Sequence, residues 1–193
     1  MSNRTEVKII LVGDTNVGKT SISTRYITKK FQSESEPTIG AGFFSRELVI
    51  QGVNCTLTIW DTAGQEEYRY LVPVYYRNAA IAIVVFDQTN HSTFVSVPSW
   101  IEDVQKNAGQ DVILVLCGNK TDIEPKMVDS EKILEIENKY GLIYIETSAI
   151  TGYGISKLFE VAVTEYLKQH KALFEAKDNV DLIPAVESKK QCC

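Results

Sequence analysis

A glycine-rich segment between a short apolar run and a helical pattern constrains the fold of this chain more than any other feature. Residues 7–12 are mostly apolar and end at a glycine, which is typical of a strand covered on both faces. The next eight residues, Gly13-Asp14-Thr15-Asn16-Val17-Gly18-Lys19-Thr20, fit the pattern G-x-x-x-x-G-K-[ST]. A helical pattern begins near Lys19. The sequence therefore predicts a strand, a tight loop and a helix in that order.

The chemistry of phosphate binding explains the spacing within this loop. Glycines let the backbone curl so that successive N–H groups point at phosphate oxygens, and the helix start adds the positive end of its dipole. Lys19 is expected to bridge the terminal phosphates and the Thr20 hydroxyl to bind Mg²⁺. The motif predicts a nucleoside triphosphate without saying which one. The candidate phosphate-binding residues are Gly13, Thr15, Asn16, Val17, Gly18, Lys19, Thr20 and Ser21.

Strand and helix patterns alternate along most of the chain. Buried strands are predicted at 7–12, 80–86, 112–117 and 142–145. Two more strands, 43–50 and 55–60, are expected to pair antiparallel through a turn at 51–54. Helices are predicted at 19–29, 91–107, 130–140 and 155–168. This alternation predicts an α/β fold with a mostly parallel sheet of six strands, one antiparallel edge strand and helices on both faces.

Two of the helical segments carry more detailed predictions. Pro98 lies inside 91–107, where a proline would break a helix. We therefore expect a short helical turn that ends near Val97 and a new helix with Pro98 in its first turn. In the last helix, the residues at helical spacing that should form the packed face are Ile155, Leu158, Phe159, Ala162 and Tyr166.

Composition limits the class of protein. A chain of 193 residues is long enough for one well-buried domain, expected at 1–168, followed by a flexible tail at 169–193. A net charge of −5 argues against a nucleic-acid partner. The sequence shows neither a run of eighteen apolar residues nor a secretory signal, so an intracellular location is expected. Cys55 and Cys117 lie in apolar runs and should behave as small hydrophobic residues.

A second polar segment follows the strand predicted at 112–117. Asn119-Lys120-Thr121-Asp122 lies at its carboxyl end, where α/β sheets place ligands. An aspartate can accept hydrogen bonds from the N1–H and amino groups of guanine, which adenine does not present, and an amide can serve the acceptors on the other edge. Alone, this tetrapeptide is also typical of a polar loop. Together with the phosphate loop it predicts a guanine nucleotide.

These two segments, with Thr38, Asp61-Thr62-Ala63-Gly64-Gln65 and Thr147-Ser148-Ala149 in this order, resemble the Ras superfamily of small GTPases. The resemblance covers about 7–168 and implies a P-loop NTPase fold, binding of GTP or GDP with Mg²⁺, and slow GTP hydrolysis. It implies a metal site of Thr20, Thr38 and Asp61, in which the two threonines ligate Mg²⁺ and Asp61 holds a magnesium-bound water. It also implies that Gly64 donates its N–H to the γ-phosphate. It implies that Gln65 is the catalytic residue, which positions the attacking water.

The resemblance also implies how the base and the switch regions are formed. The implied switch regions are residues 32–42 and 63–77. The γ-phosphate, which only GTP has, should hold them through Thr38 and Gly64, and its loss on hydrolysis should release them. Without an internal arginine finger, turnover should be about 10⁻⁴ per second and rise ~10³–10⁵-fold with an activating partner. The implied guanine and ribose contacts are Phe31, Gln32, Ser33, Asn119, Lys120, Asp122, Ser148, Ala149 and Ile150.

Several segments resemble the Rab family in particular. They are Ile39-Gly40-Ala41-Gly42-Phe43, Leu57-Thr58-Ile59-Trp60 and Tyr75-Tyr76-Arg77-Asn78-Ala79, with Asn78 where glycine is usual. The small residues around Ala41 and the run Tyr70-Leu71-Val72-Pro73 are more similar to endosomal Rabs than to secretory ones. The resemblance implies a monomer with an exchange factor, a GTPase-activating protein, effectors and prenyl-handling chaperones as partners. The implied effector patch is Ile39, Phe43, Trp60 and Tyr75.

The chain ends in Gln191-Cys192-Cys193. This ending does not fit a C-a-a-X box, because Lys190 stands where the cysteine would be required. It resembles the double-cysteine ending of Rabs, which implies geranylgeranyl groups on Cys192 and Cys193. Two lipid chains anchor a protein stably, whereas one binds marginally. The expected location is the cytoplasmic side of endomembranes, with a cytosolic pool, and the expected role is in vesicle trafficking.

Two alternative functions stay open on the sequence. A P-loop nucleotide kinase would need an acceptor pocket and an arginine-rich lid, and neither can be placed in the sequence. A binding module that has lost hydrolysis is disfavoured because Lys19, Thr20, Thr38, Gly64 and Gln65 are all present.

Overall fold

The computed structural model describes residues 4–31, 38, 40–63 and 72–170, which form alternating strands and helices. The strands are β1 (Thr5–Val12), β2 (Ala41–Ile50), β3 (Val53–Thr62), β4 (Ile81–Asp87), β5 (Ile113–Asn119) and β6 (Ile143–Glu146). The helices are α1 (Lys19–Thr28), α2 (Val72–Tyr76), α3 (His91–Val95), α4 (Val97–Ala108), α5 (Ser130–Tyr140) and α6 (Ile155–Gln169).

The strands form one sheet of six strands in the order β2-β3-β1-β4-β5-β6. Strand β1 is parallel to β3 and β4, and β5 is parallel to β4 and β6. Only the edge strand β2 runs antiparallel, paired with β3, among these strands. The predicted fold class is confirmed. Because the parallel strands share one direction, the loops after β1, β3, β4, β5 and β6 meet at a single edge of the sheet.

The hairpin between β2 and β3 is tighter than the sequence predicted. The strands extend to Ile50 and Val53, so the turn is Gln51-Gly52 rather than 51–54. Both turn residues have positive φ angles, 51° and 81°. Two left-handed residues in succession match the twist of antiparallel strands in a two-residue hairpin.

Apolar layers cover both faces of the sheet. Alternate residues of β1 point to opposite faces, so that Ile9 packs in the cluster containing α1 and α6 while Ile10 packs in the cluster containing α4. All members of the face predicted for α6 are buried except Tyr166, which is half-buried. Val163 and Leu167 complete that face. Cys55 and Cys117 are buried free thiols within the first cluster, as expected.

One local feature agrees with the sequence expectation and another differs from it. Helix α3 ends at Val95 and α4 begins at Val97, so Pro98 lies in the first turn of the second helix as predicted. Residues 72–76, expected to be part of a loop, form helix α2, which is anchored by the fully buried Tyr76. Asn78 has φ 61°, a left-handed angle that asparagine tolerates better than most residues, so it can stand in place of glycine.

Candidate nucleotide site

The predicted phosphate loop connects the end of β1 to the start of α1. Gly18 is the N-cap of α1 with φ 96°, and a Cβ there would lie 2.4 Å from Asn119 Nδ2. Glycine is therefore required both by the backbone conformation and by the close approach of Asn119. No described side chain caps α1. The N–H groups of its first turn are available to an anion, which the helix dipole also favours.

Lys19 is buried, with 6% of its surface exposed, and its ammonium is directed back into the loop. Its Nζ donates to the carbonyl oxygens of Gly13 and Asp14, both at 2.7 Å. Burial lowers the pKa of Lys19 to about 8, although the carboxylates of Asp61 and Asp14 partly offset this effect. An ammonium has three donors, so one N–H is left for a phosphate oxygen. A bound phosphate would place a further anion beside this buried cation.

Three oxygen-bearing side chains converge beside Lys19. The Thr20 hydroxyl donates to Asp61 Oδ2 at 2.6 Å and lies 2.7 Å from the Thr38 hydroxyl. Asp61 is 1% exposed, and its Oδ1 has no hydrogen-bond partner among the described residues. Burial raises the pKa of Asp61, with hydrogen bonds from Thr20 and the charge of Lys19 acting in the opposite direction.

The chemistry of this cluster suits Mg²⁺. Mg²⁺ prefers hard oxygen ligands and keeps several of its waters. A buried carboxylate oxygen without a donor is satisfied when it accepts from such a water or binds the cation. The residues present therefore fit the predicted metal set of Thr20, Thr38 and Asp61.

Asn119 connects the phosphate loop to the segments predicted to contact the base, 119–122 and 148–150, which we call the base loops. It is 1% exposed, donates from Nδ2 to the Val17 carbonyl at 2.8 Å, and accepts at Oδ1 from the Thr147 hydroxyl at 3.0 Å. Sequence reasoning assigned this amide to the edge of the guanine. Its visible bonds instead hold three loops together, and direct contact with guanine stays a prediction.

Lys120 and Asp122 lie where the base loop reaches solvent. Lys120 has φ 64°, and its Nζ is 2.6 Å from Asp87 Oδ2. Burial alone would raise the pKa of Asp87, but hydrogen bonds from Lys120 and Thr89 outweigh it and the pKa is lowered. Asp122 is exposed and thus accessible to a ligand. Asp87 was missed by the sequence analysis, although it ends β4 at the same edge of the sheet.

The segment after β6 is fixed against the segment after β5. Thr147 N–H donates to the Gly118 carbonyl at 2.9 Å, and Thr121 N–H donates to the Thr147 carbonyl at 3.1 Å. Ser148 N–H donates to the Tyr153 carbonyl at 3.0 Å. Ala149 is buried and Ile150 is 51% exposed. The structure thus brings the predicted base loops, 119–122 and 148–150, side by side.

The aromatic patch predicted for effectors is formed by adjacent side chains. Phe43 packs edge-on against Trp60 at 5.3 Å between ring centroids, and Trp60 lies 5.7 Å from Tyr75. Phe43 is 56% exposed, whereas Trp60 and Tyr75 are half-buried and pack against the cluster that contains α4. The patch is therefore partly surface and partly core.

The structure describes only part of the remaining predicted site. Phe31, predicted to contact the base, is described and is 37% exposed. The predicted residues that lie outside the described part of the chain are Gln32, Ser33, Ile39, Gly64, Gln65, Cys192 and Cys193.

The chain is similar in sequence to proteins of one known family. A sequence model of the Ras family matches residues 8–168. The chain is 43% identical to Ras-related protein Rab-4 of Dictyostelium discoideum, over 79% of this chain and 75% of that protein. It is 37% identical to Ras-related protein Rab11C of Nicotiana tabacum, over 96% and 92% of the two chains. It is also 37% identical to GTP-binding protein YPT53 of Saccharomyces cerevisiae, over 80% and 73%.

The family match covers most of the chain, and the similarity to Rab proteins extends over more than two thirds of each relative. The buried lysine, the oxygen cluster and the paired base loops lie within the matched residues. The chain therefore belongs to the Ras superfamily of small GTPases, which are GTP hydrolases, and within it to the Rab family.

Proposed function

We propose that this GTPase is a nucleotide-dependent switch in which the γ-phosphate of GTP, with Mg²⁺, determines the conformation of the surface that effectors bind. The observation that carries the proposal is that Thr20 lies within hydrogen-bond distance of both Thr38 and Asp61, and that the charge of the buried Lys19 acts on Asp61. Thr38 is the contact that matters most, because it belongs to the proposed switch segment 32–42 and lies outside the helices and strands. A ligand that binds Thr38 only in the triphosphate state would order that segment selectively.

Different residues of the site bind the phosphates and the metal. Lys19 holds the terminal phosphates by charge-assisted hydrogen bonds, and the α1 N–H groups bind their other oxygens. Thr20, Thr38 and Asp61 would hold Mg²⁺, which would supply positive charge to neutralise the phosphates. Gly64 is proposed to donate its N–H to the γ-phosphate and Gln65 to orient the attacking water. Slow hydrolysis follows, because positioning without an arginine finger leaves transition-state charge uncompensated.

Hydrolysis in the Gln65→Leu variant tests the catalytic assignment. Leucine keeps the size of the side chain but cannot orient water, so intrinsic turnover should fall about tenfold or more while GTP binding is unchanged. Single-turnover release of phosphate from GTP-loaded protein measures this. Turnover equal to wild type, both alone and with an activating protein, would remove Gln65 from its role.

Guanine selectivity tests the base site. In Asp122→Asn the amide presents an N–H where the carboxylate accepted two donors, so GDP affinity should fall about a hundredfold. Xanthosine diphosphate, which offers an acceptor at the corresponding edge, should bind this variant better than wild type does. Competition against a fluorescent GDP gives both constants. Asp129→Asn, an exposed aspartate at the N-cap of α5, is the control and should retain wild-type selectivity.

The trafficking role is proposed from the Rab relationship. The domain 1–168 would carry the switch, and the tail 169–193 would carry two geranylgeranyl groups on Cys192 and Cys193. Such an anchor, with prenyl-handling chaperones, would distribute a monomer between cytosol and the cytoplasmic face of endomembranes, with endosomes favoured. Over the residues that the structure describes, none of the helices has the length and apolarity needed to cross a bilayer.

The proposed switch is tested by comparing the two nucleotide states of one protein. Hydrogen exchange of 32–42 and 63–77 should be slower with Mg²⁺ and a non-hydrolysable GTP analogue than with GDP. Exchange in β4 and β5 should be unchanged, because these strands are buried in both states. Equal exchange of the two segments in both states would refute the switch, and equal affinity for ADP and GDP would refute the guanine site.

A further inference from the structure

A hydrogen bond joins the phosphate loop to helix α4. The indole N–H of Trp100 donates from Nε1 to Asp14 Oδ1 at 2.7 Å, between residues 86 positions apart. Trp100 is 2% exposed and Asp14 is half-buried. A short bond to a carboxylate in partly buried surroundings is charge-assisted and stronger than a bond between neutral groups. The loop is therefore attached to the scaffold through the side chain of Asp14.

Asp14 is held at a second point by the lysine of the phosphate site. Its backbone carbonyl accepts from Lys19 Nζ, so the position of Asp14 helps to set the position of the ammonium. The loop also contains Asn16 at φ 61°, in the left-handed region, which asparagine adopts more readily than most residues. Contacts with the surrounding structure constrain the shape of such a loop. The bond from Trp100 supplies one such constraint.

Trp100 also lies in the apolar cluster that contains Tyr76 of helix α2, which is part of the second proposed switch segment, 63–77. Tyr76 is fully buried in the same cluster as Trp100 and Ile101 of α4. Trp100 is thus a member of the cluster that buries Tyr76 and at the same time bonds to the phosphate loop.

We propose that Trp100 is a positioning residue for nucleotide retention, which acts through Asp14 to keep Lys19 in place and links the packing of α2 to the lifetime of the bound nucleotide. The inference rests on the proposed phosphate site. It concerns how long a nucleotide stays bound and does not assign Trp100 a contact with the nucleotide.

Release of GDP from Trp100→Phe tests the inference. Phenylalanine fills most of the same space but has no N–H donor, so GDP should dissociate about tenfold faster than from wild type. Dissociation is followed with a fluorescent GDP chased by excess unlabelled GDP. Val104→Ala is the matched control, since Val104 is fully buried on the same helix and in the same cluster. It should lower the melting temperature without accelerating release.

Substitutions of Asp14 distinguish the effect of losing the hydrogen bond on GDP release from the effect of changed packing around Trp100. Asp14→Ala removes the acceptor and should accelerate release as much as Trp100→Phe does, and the double variant should release no faster than either single variant. Asp14→Asn keeps an acceptor oxygen and should retain slow release. Removal of a negative charge near phosphates would by itself slow release, so faster release from Asp14→Ala reports the lost anchor.

The outcomes that overturn the inference are distinct from those that overturn the proposed function. Release from Trp100→Phe within twofold of wild type, or multiplied effects in the double variant, would refute the positioning role. If Trp100→Phe does not fold, wild-type release from Asp14→Ala refutes it instead. A wild-type protein that fails to retain GDP would refute the proposed nucleotide site itself.

Discussion

GDP and GTP should bind the Lys19→Ala variant about a thousandfold more weakly than they bind wild type. Truncating one partner of a buried charge pair costs about 2–5 kcal/mol, because the remaining charge is left without compensation. Lys19 is buried, and two of its donors already hold the loop carbonyls of Gly13 and Asp14. Alanine would therefore remove the phosphate contact and loosen the loop at once.

The measurement combines affinity with stabilisation by ligand. Titration of fluorescent GDP gives the dissociation constant, and the rise in melting temperature with added GDP gives an independent value by linkage. Lys8→Ala is the control, since Lys8 also donates to a backbone carbonyl, that of Arg77 at 2.8 Å, but does so outside the nucleotide site. A dissociation constant within threefold of wild type in Lys19→Ala would contradict the assignment of Lys19.

The sheet and its helices could be predicted because their signals are local. Helix α5 was predicted with its observed bounds, 130–140, and the ends of the other predicted elements differ from the observed ends by at most two residues. Helix α2 was missed because five residues are too few for a periodic pattern, and its stability comes from the burial of Tyr76. Strand ends shifted because pairing with a neighbour extends a strand beyond its apolar run.

The contacts within the site were harder to predict than its members. The motifs placed Asn119, Lys120 and Thr147 correctly at one edge of the sheet. They did not show that Asn119 bonds to Val17, because that contact joins residues 102 positions apart. The ion pair of Lys120 with Asp87 follows from the register of β4 and β5, in which Asp87 lies opposite Asn119. Such contacts depend on strand order, which no local pattern specifies.

Replacing Gly154 with alanine should lower the free energy of unfolding by about 3 kcal/mol, because the added methyl group would collide with the backbone. Gly154 is the N-cap of α6 with φ 69°, and a Cβ there would lie 2.0 Å from the Glu146 carbonyl oxygen. Neither atom belongs to a flexible side chain, so the backbone itself must move. Strain and overpacking each cost about 1–3 kcal/mol.

Gly141→Ala is a matched control for the conformational part of this loss. Gly141 has φ 61°, close to that of Gly154, but a Cβ there would meet nothing within 4 Å. Its replacement should cost about 1 kcal/mol, from conformation alone. Urea unfolding of both variants in excess GDP gives the two values. Equal losses would mean that the backbone after β6 yields easily. In that case the end of β6 at Glu146, which leads directly into Thr147 and the predicted base loop, would not be held rigidly.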